Sequence, residues 1–133
     1  MRRRRLLFLA GLALLPLAAR AAEDKAARKK GGGESYIQVQ ILTATIVRAD
    51  GRRGVMTVEC GLDVPDRALR ERADASTPRL RAAFAQVVQS YAQGLPVAAV
   101  PNADFLSREL QRQTDVVLGR PGARLLLGSI LVN

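Results

Sequence analysis

From Ser35 to Val64 apolar and polar residues alternate with a period of two, and from Arg67 to Leu118 apolar positions recur every three or four. The first rhythm predicts strands and the second helices. "SYIQVQILTATIV", Ser35 to Val47, reads as one strand, because β-branched residues suit a pleated, half-buried surface. Ile37, Val39, Ile41, Thr43, Thr45 and Val47 share one face. Tyr36, Gln38 and Gln40 share the other, which turns apolar at Leu42 and Ile46. Asp50-Gly51 then predicts a type I′ hairpin, whose central residues both need positive φ. "VMTVECGLDV", Val55 to Val64, is the second strand, with Met56, Val58, Cys60 and Leu62 turned inward.

Pro65 stops that strand, and Asp66 can cap a short, charged helix from Arg67 to about Ala75. In "TPRLRAAFAQVVQSYAQG" Thr77 is the expected N-cap and Pro78 the first helical residue, where a missing N–H is harmless. Leu80, Ala83, Phe84, Val87, Val88 and Tyr91 form its stripe, and Gly94 is the expected left-handed stop. The loop Leu95 to Pro101 is apolar without periodicity. Asn102 caps a third helix striped by Phe105, Leu106, Leu110, Val117 and Leu118, ended by Gly119. Pro121-Gly122 turns the chain into "ARLLLGSILVN". There Leu125, Leu127 and Leu131 alternate with Leu126, Ile130 and Val132, so both faces are apolar, and a strand inside the sheet, covered on both sides, is expected. The order is β–β–α–α–α–β. The fold class is α+β: an N-terminal β-hairpin, two main helices plus a short charged one, and a C-terminal strand closing a small sheet.

Ahead of this domain, "MRRRRLLFLAGLALLPLAARAAED" has the three parts of a signal peptide over residues 1–21. Arginines precede an apolar run from Leu6 to Ala19, and Ala19-Arg20-Ala21 is a small-x-small site for cleavage ahead of Ala22. Arg3, Arg4 and Arg5 followed by Leu6 and Leu7 fit the twin-arginine route. The apolar run reaches ~21 Å as a helix, short of the ~30 Å hydrocarbon core. A periplasmic protein is expected, or one retained at the inner membrane if the leader stays uncleaved. Residues 22–33 read as a flexible basic arm able to touch anionic headgroups, and residues 34–133 as the folded domain.

This division changes the meaning of the charge. The whole chain carries a net +9, but from Glu34 onward 12 Lys/Arg stand against 10 Asp/Glu, a net +2. A surface for phosphate backbones would keep its excess in the folded part, and 4% aromatic residues provide no stacking platform for bases, so no nucleic-acid partner is expected. The chain has no histidine, which removes the commonest general base and metal ligand. Cys60 has no neighbouring His or Lys to activate it, and Asp63/Asp66 and Asp104/Glu109 lack partners that would hold a metal or split their pKa values. Neither an enzyme nor a cofactor is expected. The candidates that remain are contact residues: the apolar loop with Leu95, Val97 and Val100, and an arginine row of Arg67, Arg70, Arg72, Arg79 and Arg81.

Residues 35–133 resemble the periplasmic domain of the flagellar basal-body-associated FliL family. The resemblance rests on the hairpin containing "TVECGLDV", the proline-started helix "TPRLRAAFAQVVQSY", and a helix ending "DVVLG" before an apolar final strand. It implies a small domain similar to that of stomatin-like proteins. It also implies a non-catalytic role at the inner membrane, with flagellar stator or basal-body proteins as partners, support of swimming, and assembly of copies into rings. An alternative from another class is a periplasmic module binding a small ligand or an envelope lipid, with the loop Leu95 to Pro101 as its lid.

Overall fold

The structure, a computed structural model, describes residues 33–133. The expected leader and nearly all of the arm, and with them Arg3, Arg4, Arg5, Leu6, Leu7, Ala19, Ala21 and Ala22, lie outside the described residues. The elements are β1 (Tyr36–Gln38), β2 (Leu42–Val47), β3 (Arg53–Asp63), α1 (Arg67–Ala75), α2 (Thr77–Gly94), α3 (Ala103–Leu118) and β4 (Arg124–Val132). This is an α+β fold: one antiparallel sheet under a layer of helices.

β3 is the spine of the sheet. β1 and β2 lie end to end along one of its edges, and β4 lies along the other. Met56, Val58, Cys60 and Leu62 face inward from β3, as their alternation predicted, and all four are buried. α2 covers β2 and α3 covers β4. Leu80, Phe84 and Val88 of α2 and Leu106, Leu110 and Leu118 of α3 close the core over that sheet face.

The stretch expected as one strand is two. Val39 donates to the Cys60 carbonyl, while Leu42 pairs with Val58, so Gln40 and Ile41 together oppose Glu59. A bulge adds one residue and reverses which face each later side chain takes. The core side chains of β2 are therefore Leu42, Ala44 and Ile46, whereas Ile41, Thr43, Thr45 and Val47 point to solvent. β4 repeats the device on the other edge: Leu127 pairs with Cys60 and Ile130 with Val58, leaving Gly128 and Ser129 opposite Glu59. Ser129 Oγ donates to Glu59 there at 2.7 Å. The sheet is thus bent on both sides of one residue.

Further expectations are corrected. The β2–β3 turn is not type I′. Only Gly51 has positive φ (78°), Gly51 N–H reaches Arg48 O, and Arg48 N–H reaches Arg52 O. This is a three-residue loop in which the left-handed residue follows an ordinary turn. Ser76, not Thr77, stands before α2, and Thr77 Oγ1 instead donates to the Ala73 and Asp74 carbonyls of α1. Gly94 is the last residue of α2 and has no positive φ; the chain leaves through an extended Leu95. Among the described residues β4 pairs only with β3, so it is an edge strand and not an interior one, and Leu131 and Val132 are exposed. By contrast, Asp66 caps α1 and Asn102 caps α3 through their side chains, and Gly119 ends α3 in the left-handed region, as expected.

Candidate functional site

α2 and α3 each present two stripes, and only one of each faces the sheet. On the solvent side, Ala83, Val87 and Tyr91 of α2 meet Phe105 of α3 in an apolar groove of about 780 Å³. Gln86, Ser90, Glu109 and Gln113 form its polar walls, and Leu95 and Pro96 close one end. Its aromatic floor is fixed by the cap of α3. The Asn102 side chain accepts from Phe105 N–H at 3.0 Å, and Asn102 N–H donates to Tyr91 Oη at 2.6 Å. The two rings stack with centroids 5.6 Å apart. Glu109 is paired with Arg112 on the rim. None of the lining residues is buried, so the groove is open along its length. A small ligand there would stay largely in solvent, whereas ligand sites commonly bury roughly 70–90% of their occupant.

The apolar loop divides its residues. Leu95 is half-buried against the core and lines the groove. Val97 and Val100 project outward, 56% and 88% exposed. Ala99 N–H closes a turn onto Pro96 O at 3.0 Å, and Ala98 in that turn has φ 62°. On the far side of the loop, Ala98 and Ala99 line a second, smaller concavity of about 420 Å³ with Val47, Arg48 and Ala49.

Four of the five arginines of the row hold partners within the domain. Arg67 pairs with Glu71 on its own helix, and Arg70 donates to the Val64 and Pro65 carbonyls. Arg72 donates to Leu118 O at 3.1 Å and Arg79 to Val117 O at 2.9 Å, so both engage the last carbonyls of α3. Arg81 is exposed. Asp63 accepts from Ser35 Oγ, and Asp66 accepts from Leu69 N–H and from Arg120. These two bonds hold the Asp66 carboxyl below its ordinary value. Burial pushes the Cys60 thiol up to about 11, which leaves almost no thiolate at neutral pH. Among the described residues no three His, Cys, Asp or Glu side chains gather as metal ligands, and no helix is long and apolar enough to cross a membrane.

No protein-family model and no curated protein matches the chain. The groove itself was only half visible in the sequence. Val87, Tyr91 and Phe105 read as core because they fall at helical spacing, yet Val87 and Tyr91 lie one position beside the buried stripe of Phe84, Val88 and Ala92, and Phe105 one position beside the buried Leu106 of α3. An apolar stripe wider than one packing face was the available signal. The walls, Gln86, Ser90, Glu109 and Gln113, carry no such signal in sequence.

Proposed function

We propose that the protein is an exported, non-catalytic accessory domain of the FliL kind that acts through protein contacts. The open apolar groove between α2 and α3 carries this reading: a stacked aromatic pair on a preformed floor, walled by polar side chains and exposed throughout, suits the apolar face of a partner helix. The leader with Arg3, Arg4 and Arg5 would deliver the domain to the periplasm. The partners on this reading are flagellar stator or basal-body proteins and further copies of the chain, with Tyr91, Phe105 and Leu95 as the contact residues. A photo-crosslinking amino acid at Val87, in the groove, should capture such a protein in swimming cells, and deletion of the gene should impair swimming. Unimpaired swimming, with no adduct at Val87 but one at an unrelated surface position, would remove the reading.

A further inference from the structure

Among the described residues nine large apolar side chains are exposed, and six of them belong to segments at one end of the domain: Val97 and Val100 on the loop after α2, Val132 on the helix-covered face of the sheet, and Val47, Val55 and Leu131 on its other face. That end is built from the β2–β3 turn, the start of β3, the finish of β4 and the loop after α2. Val47, Arg48 and Ala49 line one concavity together with Ala98, Ala99 and Val132, which places turn, loop and the end of β4 side by side. Monomeric surfaces seldom concentrate apolar side chains in this way without a partner.

The same end carries Arg48, Arg52 and Arg53, all exposed. The acidic groups on the elements that meet there are Asp50 and Asp104. Asp50 accepts from Arg52 N–H at 3.0 Å, and Asp104 lies in the first turn of α3, whose N-terminal partial charge offsets it. The turn closed by Ala99 N–H on Pro96 O, between Pro96 and Pro101, holds the two valines outward in a fixed conformation, so little ordering remains to be done on contact. The exposed apolar groups of this end are aliphatic. Long arginine side chains around projecting aliphatic groups match an interface in which apolar groups enter below the phosphates and guanidiniums stay level with them.

We propose that this end docks on an anionic phospholipid bilayer, with Val97 and Val100 entering the headgroup boundary and Arg48, Arg52 and Arg53 binding phosphates. This is a surface separate from the α2–α3 groove, so it stands whether or not a protein partner occupies the groove.

The test is depth-dependent quenching on the chain from Ala22 onward, the form expected after export, because the arginine-led apolar leader would itself enter anionic vesicles. A fluorophore is attached at Val100→Cys or, as a control remote from this end, at Val116→Cys; Cys60 is buried and stays unlabelled. Nitroxide-bearing lipids in vesicles of phosphatidylglycerol and phosphatidylethanolamine should quench the label at 100 and not at 116. Vesicles of phosphatidylcholine alone should quench neither. Because each arginine near an anionic surface is worth roughly fivefold in affinity, Arg48→Glu, Arg52→Glu and Arg53→Glu together should weaken vesicle binding by at least about a hundredfold. All these positions are exposed, so the variants should melt like the parent. Equal quenching at 100 and 116, no quenching at 100, or indifference to the arginine changes would overturn the proposal. So would sedimentation showing a dimer that Val97→Asp with Val100→Asp dissolves, since this end would then be a contact between copies.

Discussion

Ala98 holds a conformation that side chains avoid. Its φ of 62° is the only positive value at a non-glycine residue among the described residues, and it falls between the two exposed valines of the loop, Val97 and Val100. The left-handed region brings Cβ close to the following carbonyl, at roughly 1–2 kcal/mol for an L-residue. Glycine would relieve this and lose part of the gain to the greater freedom of its unfolded chain. Ala98→Gly should therefore stabilise the domain by about 1 kcal/mol, raising the thermal midpoint in calorimetry. An unchanged or lower midpoint would show that the turn imposes no strain. Sequence could not announce this position, because alanine is neutral in pattern and the turn depends on where Pro96 and Ala99 are placed by the helices on either side.

The elements were legible where a local signal sets them and illegible where a neighbour does. Asp66 and Asn102 cap their helices as read, since a cap needs only its own side chain and the N–H three residues on. The inward face of β3 was equally plain. β2 departs from the expected single strand because one bulge residue reverses every later side chain; the switch of apolar residues from odd positions (Ile37, Val39) to even ones (Leu42, Ile46) is its only mark within Ser35 to Val47, and the bulge itself is fixed by pairing with β3. β4 was misplaced for a related reason. Two apolar faces predict cover on both sides, but helices cover one face only. Leu125 is buried, Leu126, Leu127 and Ile130 are half-buried, and Leu131 and Val132 stay exposed. The stripe of α3 likewise includes the unforeseen Thr114, fully buried because its hydroxyl donates back to Leu110 O at 2.8 Å. The consequences of a buried charge should follow this gradient along β4. Leu125→Asp places a carboxylate against the core beside Leu62, at several kcal/mol against the ~5–15 kcal/mol of a typical domain, and should leave little folded protein. Leu127→Asp, which can reach solvent, should fold with a lowered midpoint. Equal loss in circular dichroism for both would mean that Leu127 is as deeply packed as Leu125.

At the scale of the molecule, two side chains of the arginine row, Arg72 and Arg79, tie helices to one another. Arg72 from α1 and Arg79 from α2 converge on the carbonyls of Leu118 and Val117 at the C-terminus of α3, where the partial negative charge of the helix favours cations. Arg120, just past that terminus, returns to the Asp66 cap of α1 at 2.7 Å. The three contacts link all three helices at one end of the layer, away from the groove. Replacing Arg72 and Arg79 together with methionine keeps the stems and removes the charges. It should cost about 1–2 kcal/mol in urea unfolding, the exposure of Arg79 holding the figure down. Arg81→Ala should cost nearly nothing. The Asp66 contact adds a dependence on acid whose sign is set by its depressed pKa. A carboxyl held lower in the folded state contributes fully above its unfolded value of about 3.9, and that contribution is lost as pH falls through the lower folded value. The thermal midpoint should thus decline on acidification below about pH 4, and Asp66→Ala, already destabilised at neutral pH, should decline less. Parallel acid profiles for the two proteins would show that the cap and its arginine do not couple α1 to the rest of the helical layer.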